Sequence, residues 1–122
     1  MLTSPTTLVT AQRLVEYCRK RQHLVAIEEL YSGHCISREM LGVPNSVTEG
    51  KVAILKKNED WFAMVSEFHR NEISDPVVSD KFFCCHMELD VTFKNQPRMV
   101  LNELCIYEVM DGRIVSEQFF YR

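Results

Sequence analysis

The 122-residue chain lacks the sequence features that mark several large classes of protein. It contains no apolar run near the ~18–20 residues that a membrane-spanning helix needs. It has no excess of basic charge, since 14 Lys and Arg residues stand against 17 Asp and Glu. A glycine-rich phosphate loop and the His-Glu-x-x-His and Gly-x-Ser-x-Gly motifs are also missing. These absences argue against membrane, nucleic-acid and nucleotide binding and against zinc-hydrolase or serine-hydrolase chemistry.

The cysteines give no sign of a disulfide framework or a metal site. There are five of them, an odd number, and none forms a Cys-x-x-Cys pair. Residues 1–5 carry neither the basic start nor the apolar stretch of a secretory signal, so reduced thiols and a cytoplasmic location are expected. Cys84 and His86 lie two residues apart, but no second ligand pair with zinc-like spacing occurs, so neither a metal nor another cofactor is predicted.

Length and composition predict a single domain over residues 1–122. Apolar residues make up 46% and charged residues 25%, which is close to the average for globular proteins. A chain of this size can bury roughly two-thirds of its unfolded surface, enough for one core without covalent staples.

Helical patterns occupy the first half of the chain. Thr6 or Thr7 can cap a first helix of about 15 residues, which ends at the basic triplet 19–21. A second, short helix covers 23–31, with Gly33 as a left-handed cap. Residues 34–47 have little periodicity, and 42–45 reads as a loop.

A third helix is predicted from Thr48 or Glu49 to about Ser66, with an amphipathic pattern. Its core-facing residues are Ile54, Leu55, Trp61, Phe62 and Val65. Residues 56–60 are predicted to cover its solvent side.

Strand patterns fill the second half. Residues 69–78 form a plausible strand that is weakened at Asp75-Pro76, because proline removes a backbone donor. Residues 82–93 alternate cleanly between apolar and polar positions, 94–97 form a turn, and 99–109 and 114–121 give two further strands. Helices first and strands last indicate the α+β class, with N-terminal helices packed on an antiparallel sheet.

The Asp111-Gly112 dipeptide predicts a two-residue hairpin, because both residues tolerate the positive φ angles of a type I′ turn. This turn places Val109 opposite Ile114 and Glu103 opposite Phe120. One face then carries Leu101, Glu103, Cys105, Tyr107, Gln118 and Phe120; the other carries Val100, Asn102, Leu104, Ile106, Glu117, Phe119 and Tyr121. Since both faces are largely apolar, helices should cover one and a second subunit the other, which predicts a homodimer through the sheet.

Residues 102–121, NELCIYEVMDGRIVSEQFFY, resemble the closing hairpin of SnoaL-like domains in the nuclear-transport-factor-2-like superfamily. The sequence EGKVAI at 49–54, followed by Trp61-Phe62, is similar to the family's G-K-x-A-I helix start, and Val91-Thr92-Phe93 also fits. The resemblance implies a cone-shaped α+β barrel with an interior pocket, commonly in a homodimer. It implies no single function, because the family includes polyketide cyclases, ketosteroid isomerases, epoxide hydrolases, dehydratases and non-enzymatic binding domains.

Glu103 is the leading candidate for chemistry. If its face of the hairpin is the concave one, the carboxyl group is desolvated among Leu101, Cys105 and Tyr107. Its pKa would rise, which suits a general acid or base near neutral pH. The alternative is a structural glutamate that hydrogen-bonds Gln118 or a tyrosine, or that pairs across a dimer interface.

Five other side chains are weaker candidates. Gln118 and Tyr107 could donate hydrogen bonds to a ligand carbonyl, or could be satisfied by their neighbours. Trp61 and Phe120 could line a pocket with their rings, or pack in the core. His69, at the helix-to-strand junction, could shuttle protons at a pocket mouth, or could lie at the surface.

Three functions fit these observations. The first is a domain that binds a small apolar molecule in an interior pocket of roughly 300 Å³ or more. The alternative is a cofactor-independent isomerase, cyclase or hydratase that uses Glu103 as general acid or base. The third is a dimerising interaction domain whose interior is filled by bulky residues such as Trp61, Phe62, Met87 and Phe120.

Overall fold

The computed structural model describes residues 5–121. The prediction that residues 1–5 carry no secretory signal falls mostly outside this range. Within it the chain forms three helices: α1 (Pro5–Arg19), α2 (His23–Leu30) and α3 (Lys51–Met64). The strands in the same range are β1 (Tyr31–Arg38), β2 (Val47–Glu49), β3 (Val65–Ile73), β4 (Val77–Ser79), β5 (Phe82–Phe93), β6 (Arg98–Met110) and β7 (Arg113–Phe120). The predicted α+β class is confirmed.

The strands described form one curved sheet against which the helices pack. Its order is β2-β1-β7-β6-β5-β3, and β4 pairs separately with β5. All pairings are antiparallel except that of β1 with β7, so the sheet is mixed rather than purely antiparallel. Strands β2 and β3 are its two edges, and over residues 5–121 the sheet does not close into a barrel.

The first helix has the predicted length, but its start differs. It begins at Pro5, so Thr6 and Thr7 lie inside its first turn rather than at its cap. Proline suits this position because the first amides of a helix have no helical partner. In α1 the apolar residues Ala11, Leu14, Val15 and Cys18 are buried in the core, whereas Leu8 is 40% exposed.

The second helix ends at Leu30, and the chain passes directly into β1. The amide of Tyr31 closes the helix on the Ile27 carbonyl, while Tyr31 itself is already extended. Gly33 therefore lies within a strand, and the predicted left-handed cap at this residue is wrong. The prediction of irregular chain over 34–47 is also wrong in part, because β1 continues to Arg38 before the loop.

The third helix begins at Lys51 and ends at Met64, inside the predicted bounds. Thr48 and Glu49 belong to β2 instead of opening the helix. Of the predicted core stripe, Ile54 is fully buried and the other members are half-buried.

Strand β5 has the predicted bounds and the predicted alternation. Phe83, Cys85, Met87, Leu89 and Val91 are all buried on the face that meets the helices. The strand predicted over 69–78 is interrupted where Pro76 was expected to weaken it, which separates β3 from β4.

The hairpin between β6 and β7 has the predicted turn but not the predicted register. Asp111 and Gly112 have φ angles of 51° and 76°, and Val109 pairs with Ile114 as expected. Glu108 then pairs with Ser116, so Val115 is an additional residue that bulges β7.

Because side chains alternate along a strand, this bulge exchanges the two faces of β7. Tyr107 lies opposite Glu117 and Cys105 opposite Phe119, so these two β7 residues share the concave face of the sheet with Glu103. Gln118 instead pairs with Ile106, and Phe120 pairs with Leu104, on the opposite face of the sheet. This face, called the outer face below, carries Cys84, His86, Leu104, Ile106, Gln118 and Phe120. The predicted grouping of Gln118 and Phe120 with Glu103 is wrong for this reason.

Candidate functional site

A cavity of about 350 Å³ lies between the helices and the concave face of the sheet. The helices contribute Leu14, Cys18, His23, Ala26, Ile27, Lys57, Asn58, Asp60, Trp61, Phe62 and Met64 to its wall. The sheet and the residues that flank it contribute Tyr31, Glu39, Met87, Leu89, Glu103, Tyr107, Glu117 and Phe119. Most of the wall is apolar, and its polar and charged side chains are concentrated on α3, on β6 and β7, and on β1 and the residue that follows it.

Aromatic rings form one part of this wall. The ring of Trp61 meets that of Phe62 edge-on, with centroids 5.1 Å apart, and Phe68 and Phe93 lie within 6.1 Å and 5.5 Å of Trp61. The edge-to-face geometry that Trp61 has with Phe62 and Phe93 is one of the preferred arrangements of aromatic pairs. The cluster of Trp61, Phe62, Phe68 and Phe93 is called the aromatic cluster below.

Three glutamates form the acidic cluster: Glu39, Glu103 and Glu117. Glu117 is the most deeply buried, at 2% exposure, and its carboxylate accepts a hydrogen bond from the Tyr31 hydroxyl. The parallel pairing of β1 with β7 sets Ser37 beside it. Burial raises the pKa of Glu117, and the hydrogen bonds from Tyr31 and Ser37 oppose this shift without reversing it.

Glu39 is held by the only cation that lines the described part of the cavity. The ammonium group of Lys57 lies 3.2 Å from the Glu39 carboxylate and 3.2 Å from the Ser37 hydroxyl. The Tyr121 hydroxyl donates a second hydrogen bond to Glu39, at 2.9 Å. Lys57 was predicted on the solvent side of α3; this is wrong, because Lys57 and Trp61 are four residues apart and share a helix face.

Glu103 faces the cavity from the centre of β6, opposite Met87 on β5. No hydrogen bond to another residue within 5–121 contributes to its titration. Burial, together with the nearby charges of Glu39 and Glu117, raises the pKa of Glu103 to about 7, although Lys57 acts in the opposite direction. Near neutral pH this carboxyl can therefore either give or accept a proton.

His23, at the start of α2, is a wall residue that the sequence analysis did not single out. Its ring lies 5.3 Å from that of Phe62, and its Nδ1 is buried without a hydrogen-bond partner among the described residues. Burial lowers the pKa of His23 to about 4, so the imidazole is neutral at physiological pH. The spacing of His23 and Ile27, four residues apart on one helix face, is the signal that could have found it.

The structure brings three of the six predicted site residues together. Glu103, Trp61 and Tyr107 all line the cavity. Gln118 and Phe120 lie on the outer face because of the bulge in β7. His69 also lies away from the cavity wall, with its Nε2 2.8 Å from the Thr92 hydroxyl.

Residues 5–121 contain neither a metal-binding cluster nor a membrane-spanning helix. No group of three or more His, Cys, Asp or Glu side chains in this range could hold a metal ion. None of the three helices described combines the length and the apolar character needed to cross a bilayer.

The fold and the cavity define a class of protein: helices on a curved sheet around a carboxyl-bearing interior. The family model of the SnoaL-like domain matches residues 5–121, so the chain belongs to this family. The resemblance found in the sequence is thereby confirmed. No curated protein matches the chain significantly.

Solved structures with the same fold agree with this assignment. A Mesorhizobium loti protein, provisionally named a SnoaL-like polyketide cyclase, is 26% identical with a TM-score of 0.84, over 93% of this chain and 97% of that one. A nuclear-transport-factor-2-like protein of unknown function from Burkholderia pseudomallei is 13% identical with a TM-score of 0.80, over 98% and 92%. TerC, co-crystallised with polyporic acid, is 10% identical with a TM-score of 0.78, over 96% and 92%.

Proposed function

We propose that the protein binds a small, largely apolar molecule in the cavity between its helices and its sheet. The observation that carries this proposal is the cavity itself, since about 350 Å³ lies within the range of small-molecule sites. An interaction domain with a filled core would leave no such space among its largest side chains. A structural neighbour, TerC, was co-crystallised with polyporic acid, which is consistent with the binding of a small molecule by this fold.

The test uses a variant that fills the cavity. Ala26 lines the wall and is 1% exposed, so Ala26→Leu should occupy space that a ligand needs. Ala63→Leu is the matched control, because Ala63 is exposed on α3 and does not line the cavity. A thermal-shift screen against polyketides, steroids and other apolar ring compounds should give hits with wild type and Ala63→Leu that Ala26→Leu loses. Hits that Ala26→Leu retains would place binding elsewhere and refute the proposal.

The second candidate function is enzymatic, and Glu103 is the observation that favours it. A cavity-facing carboxyl with a pKa of about 7 can remove a proton from a carbon next to a ligand carbonyl and return it to another atom. The carbonyl oxygen, which gains charge when the proton leaves, would need a donor such as the Tyr107 hydroxyl. Isomerisation and cyclisation of enolisable compounds use this proton transfer and need no cofactor.

Exchange of carbon-bound hydrogen for deuterium tests the enzymatic candidate. For a carbonyl compound found in the screen, proton NMR in D₂O should show exchange next to the carbonyl with wild type. Glu103→Gln should abolish the exchange while the compound still binds. Glu108→Gln, on the same strand but on the outer face, should exchange like wild type. Equal exchange by Glu103→Gln and wild type would remove Glu103 from this role.

We also propose that the protein is a homodimer through its outer face. Val100, Leu104, Ile106 and Phe120 are apolar and between 36% and 48% exposed on this face. Leu104 and Phe120 are direct neighbours across β6 and β7, so the exposed apolar surface is continuous. Contiguous apolar surface of this kind is typical of interfaces between subunits.

A further inference from the structure

The charges in the cavity wall are unequal. Four carboxyl groups line the described wall, those of Glu39, Asp60, Glu103 and Glu117, against one ammonium group, that of Lys57. Asp60 is largely exposed and pairs with Lys56 at 2.6 Å. The acidic cluster therefore faces the cavity interior with a single cation to balance it.

The contacts of the acidic cluster leave one member without a partner. Lys57 and Tyr121 hold Glu39, and Tyr31 holds Glu117. Glu103 has no such hydrogen bond within residues 5–121. A desolvated carboxylate without a partner is unfavourable, and its charge is best met by a donor or a cation.

His23 gives a second and independent indication of what the cavity accepts. Its imidazole is neutral, and its buried Nδ1 has no partner among the described residues. An unpaired nitrogen at a buried position costs less as an acceptor than as a donor, because an N–H without an acceptor is rarely left buried. The proton is thus best assigned to Nε2, and His23 brings no positive charge to the wall. The described wall therefore has no unpaired cation for an anionic ligand, since Lys57 already contacts Glu39.

Two rings of the aromatic cluster share this cavity with Glu103. Trp61 and Phe62 line it from α3, and Glu103 lines it from β6, opposite Met87. Since all three side chains border one cavity of about 350 Å³, a ring compound with a short polar arm can place its ring against the aromatic side chains and its arm toward the carboxyl group.

We propose that the ligand of this cavity is a ring compound that carries an amine, with its ammonium group against Glu103 and its ring against Trp61 and Phe62. This inference rests on the proposed function, since it specifies the chemistry of what the cavity binds. An ammonium group supplies the hydrogen-bond donors and the positive charge that the acidic cluster lacks. A carboxylate or a phosphate at the same position would add a negative charge beside three glutamates.

The preference for an amine should depend on pH. The helices bring four other titratable groups to the cavity: Cys18 from α1, His23 from α2, and Lys57 and Asp60 from α3. The strands and the residues that follow them bring Tyr31, Glu39, Tyr107 and Glu117, and Tyr121 after β7 lies near enough for the charge of Glu103 to raise its pKa. Burial raises the pKa of Cys18, Tyr31 and Tyr107, so these groups stay neutral across the neutral range, as does His23. Glu103, with a pKa of about 7, ionises between pH 6 and pH 8, and burial raises the pKa of Glu117 as well. The carboxylate that attracts an ammonium is therefore more populated at pH 8.

The experiment compares three compounds with one ring system: naphthylmethylamine, naphthalenemethanol and naphthoate. Their affinities are measured by isothermal titration calorimetry at pH 6 and pH 8. With wild type at pH 8 the amine should bind about tenfold more tightly than the alcohol, a difference typical of one charge-assisted hydrogen bond. The naphthoate should bind at least about tenfold more weakly than the alcohol, and the advantage of the amine should shrink at pH 6.

Two variants locate the effect. Glu103→Gln should bind the amine and the alcohol equally, and Glu108→Gln, which removes the same charge from the outer face of β6, should behave as wild type. The comparison of pH 6 with pH 8 uses wild type alone, so it tests the inference independently of how a variant folds.

The outcomes separate this inference from the proposed function. Equal binding of alcohol and amine by wild type at pH 8, or tighter binding of the naphthoate, would overturn the amine preference and leave the cavity as a binding site. An amine advantage that persists in Glu103→Gln would overturn the role of Glu103. No binding of any of the three compounds would count against both proposals.

Discussion

Glutamine in place of Glu103 should make the folded protein less sensitive to alkaline pH. In the folded chain the pKa of this carboxyl is about 7, against an ordinary value of 4.5. Between these two pH values the folded state holds a proton that the unfolded state has released. Stability falls with rising pH wherever the folded state binds more protons, so the contribution of Glu103 is fully present below pH 4.5 and is lost as pH rises through 7.

The magnitude follows from the size of the shift. Each pKa unit corresponds to about 1.4 kcal/mol, so the whole shift corresponds to about 3 kcal/mol. The part of this loss that falls between pH 5 and pH 8 is about 2.5 kcal/mol. Glutamine has nearly the shape of a protonated glutamate and does not ionise, so Glu103→Gln should be close to wild type at pH 5 and more stable by about 2 kcal/mol at pH 8.

The assay is urea denaturation followed by circular dichroism at pH 5, 6, 7 and 8. The difference in unfolding free energy between Glu103→Gln and wild type should grow with pH, with most of the growth below pH 7. Glu108→Gln, on the outer face of the same strand, should show no such growth. Free energies of wild type and Glu103→Gln that change in parallel across this range would refute the reasoning, because they would mean that Glu103 titrates alike in the folded and unfolded states.

Three further results are expected. Gly112→Ala should lower the denaturation midpoint more than Gly42→Ala does. Both positions have positive φ, which costs about 1 kcal/mol for alanine, but of the two only Gly112 would bring its new Cβ close to a neighbour, 2.9 Å from Thr6 Cγ2. Equal losses of stability in the two variants would contradict this contact. Of the five thiols, only Cys84 is not buried within the chain, and it lies on the outer face, which the proposed dimer would cover. Titration of the native Leu104→Glu variant, which should be a monomer, with a thiol reagent should therefore modify Cys84 alone, and adding Cys84→Ser should abolish the reaction; a fast second thiol would be contrary to the packing described. Leu104→Glu should convert the proposed dimer to a folded monomer, measured by sedimentation velocity, because Leu104 is 43% exposed on the outer face. Wild type that sediments as a monomer at micromolar concentration would refute the dimer.

The strands with regular alternation could be predicted from the sequence in detail. Residues 82–93 form β5 as expected, because one face is buried along its whole length and a period of two is then enforced at every residue. The turn at Asp111-Gly112 was equally clear, because its positive φ angles restrict the residue types. Local chemistry decides both features.

Strand β1 could not be predicted in this way. Ser32, Gly33 and His34 show no alternation, and the strand is held by parallel pairing with β7, about eighty residues further along the chain. The same pairing places Ser37 beside Glu117 and brings Glu39 near the cavity. Two of the three glutamates of the acidic cluster, Glu39 and Glu117, thus owe their surroundings to a long-range contact that leaves no short-range pattern.

The residues of the candidate site were predicted in part. Glu103 and Trp61 follow from simple periodicity, and both line the cavity. Lys57 was assigned to solvent because it is charged, although its spacing from Trp61 puts it on the inner side of α3. Hydrophobic periodicity predicts which apolar residues line the wall, but it places charged residues at the surface. It cannot show that Lys57 is paired inside, because the partner of Lys57, Glu39, is distant from it in sequence.

The bulge at Val115 has a consequence for how proteins of this fold diverge. Deletion of this one residue would make β7 regular and leave Glu117 opposite Tyr107. If Val115 instead paired with Glu108, the bulge would be lost and every later side chain would turn to the opposite face. Ser116 would then lie opposite Tyr107 and Gln118 opposite Cys105, so that a hydroxyl would replace the most buried carboxyl without any substitution. The presence or absence of a bulge in the last strand therefore changes the chemistry of the cavity wall at constant sequence. Two homologues that differ in this bulge should be aligned by strand pairing, since alignment by residue identity would compare side chains from opposite faces of the sheet.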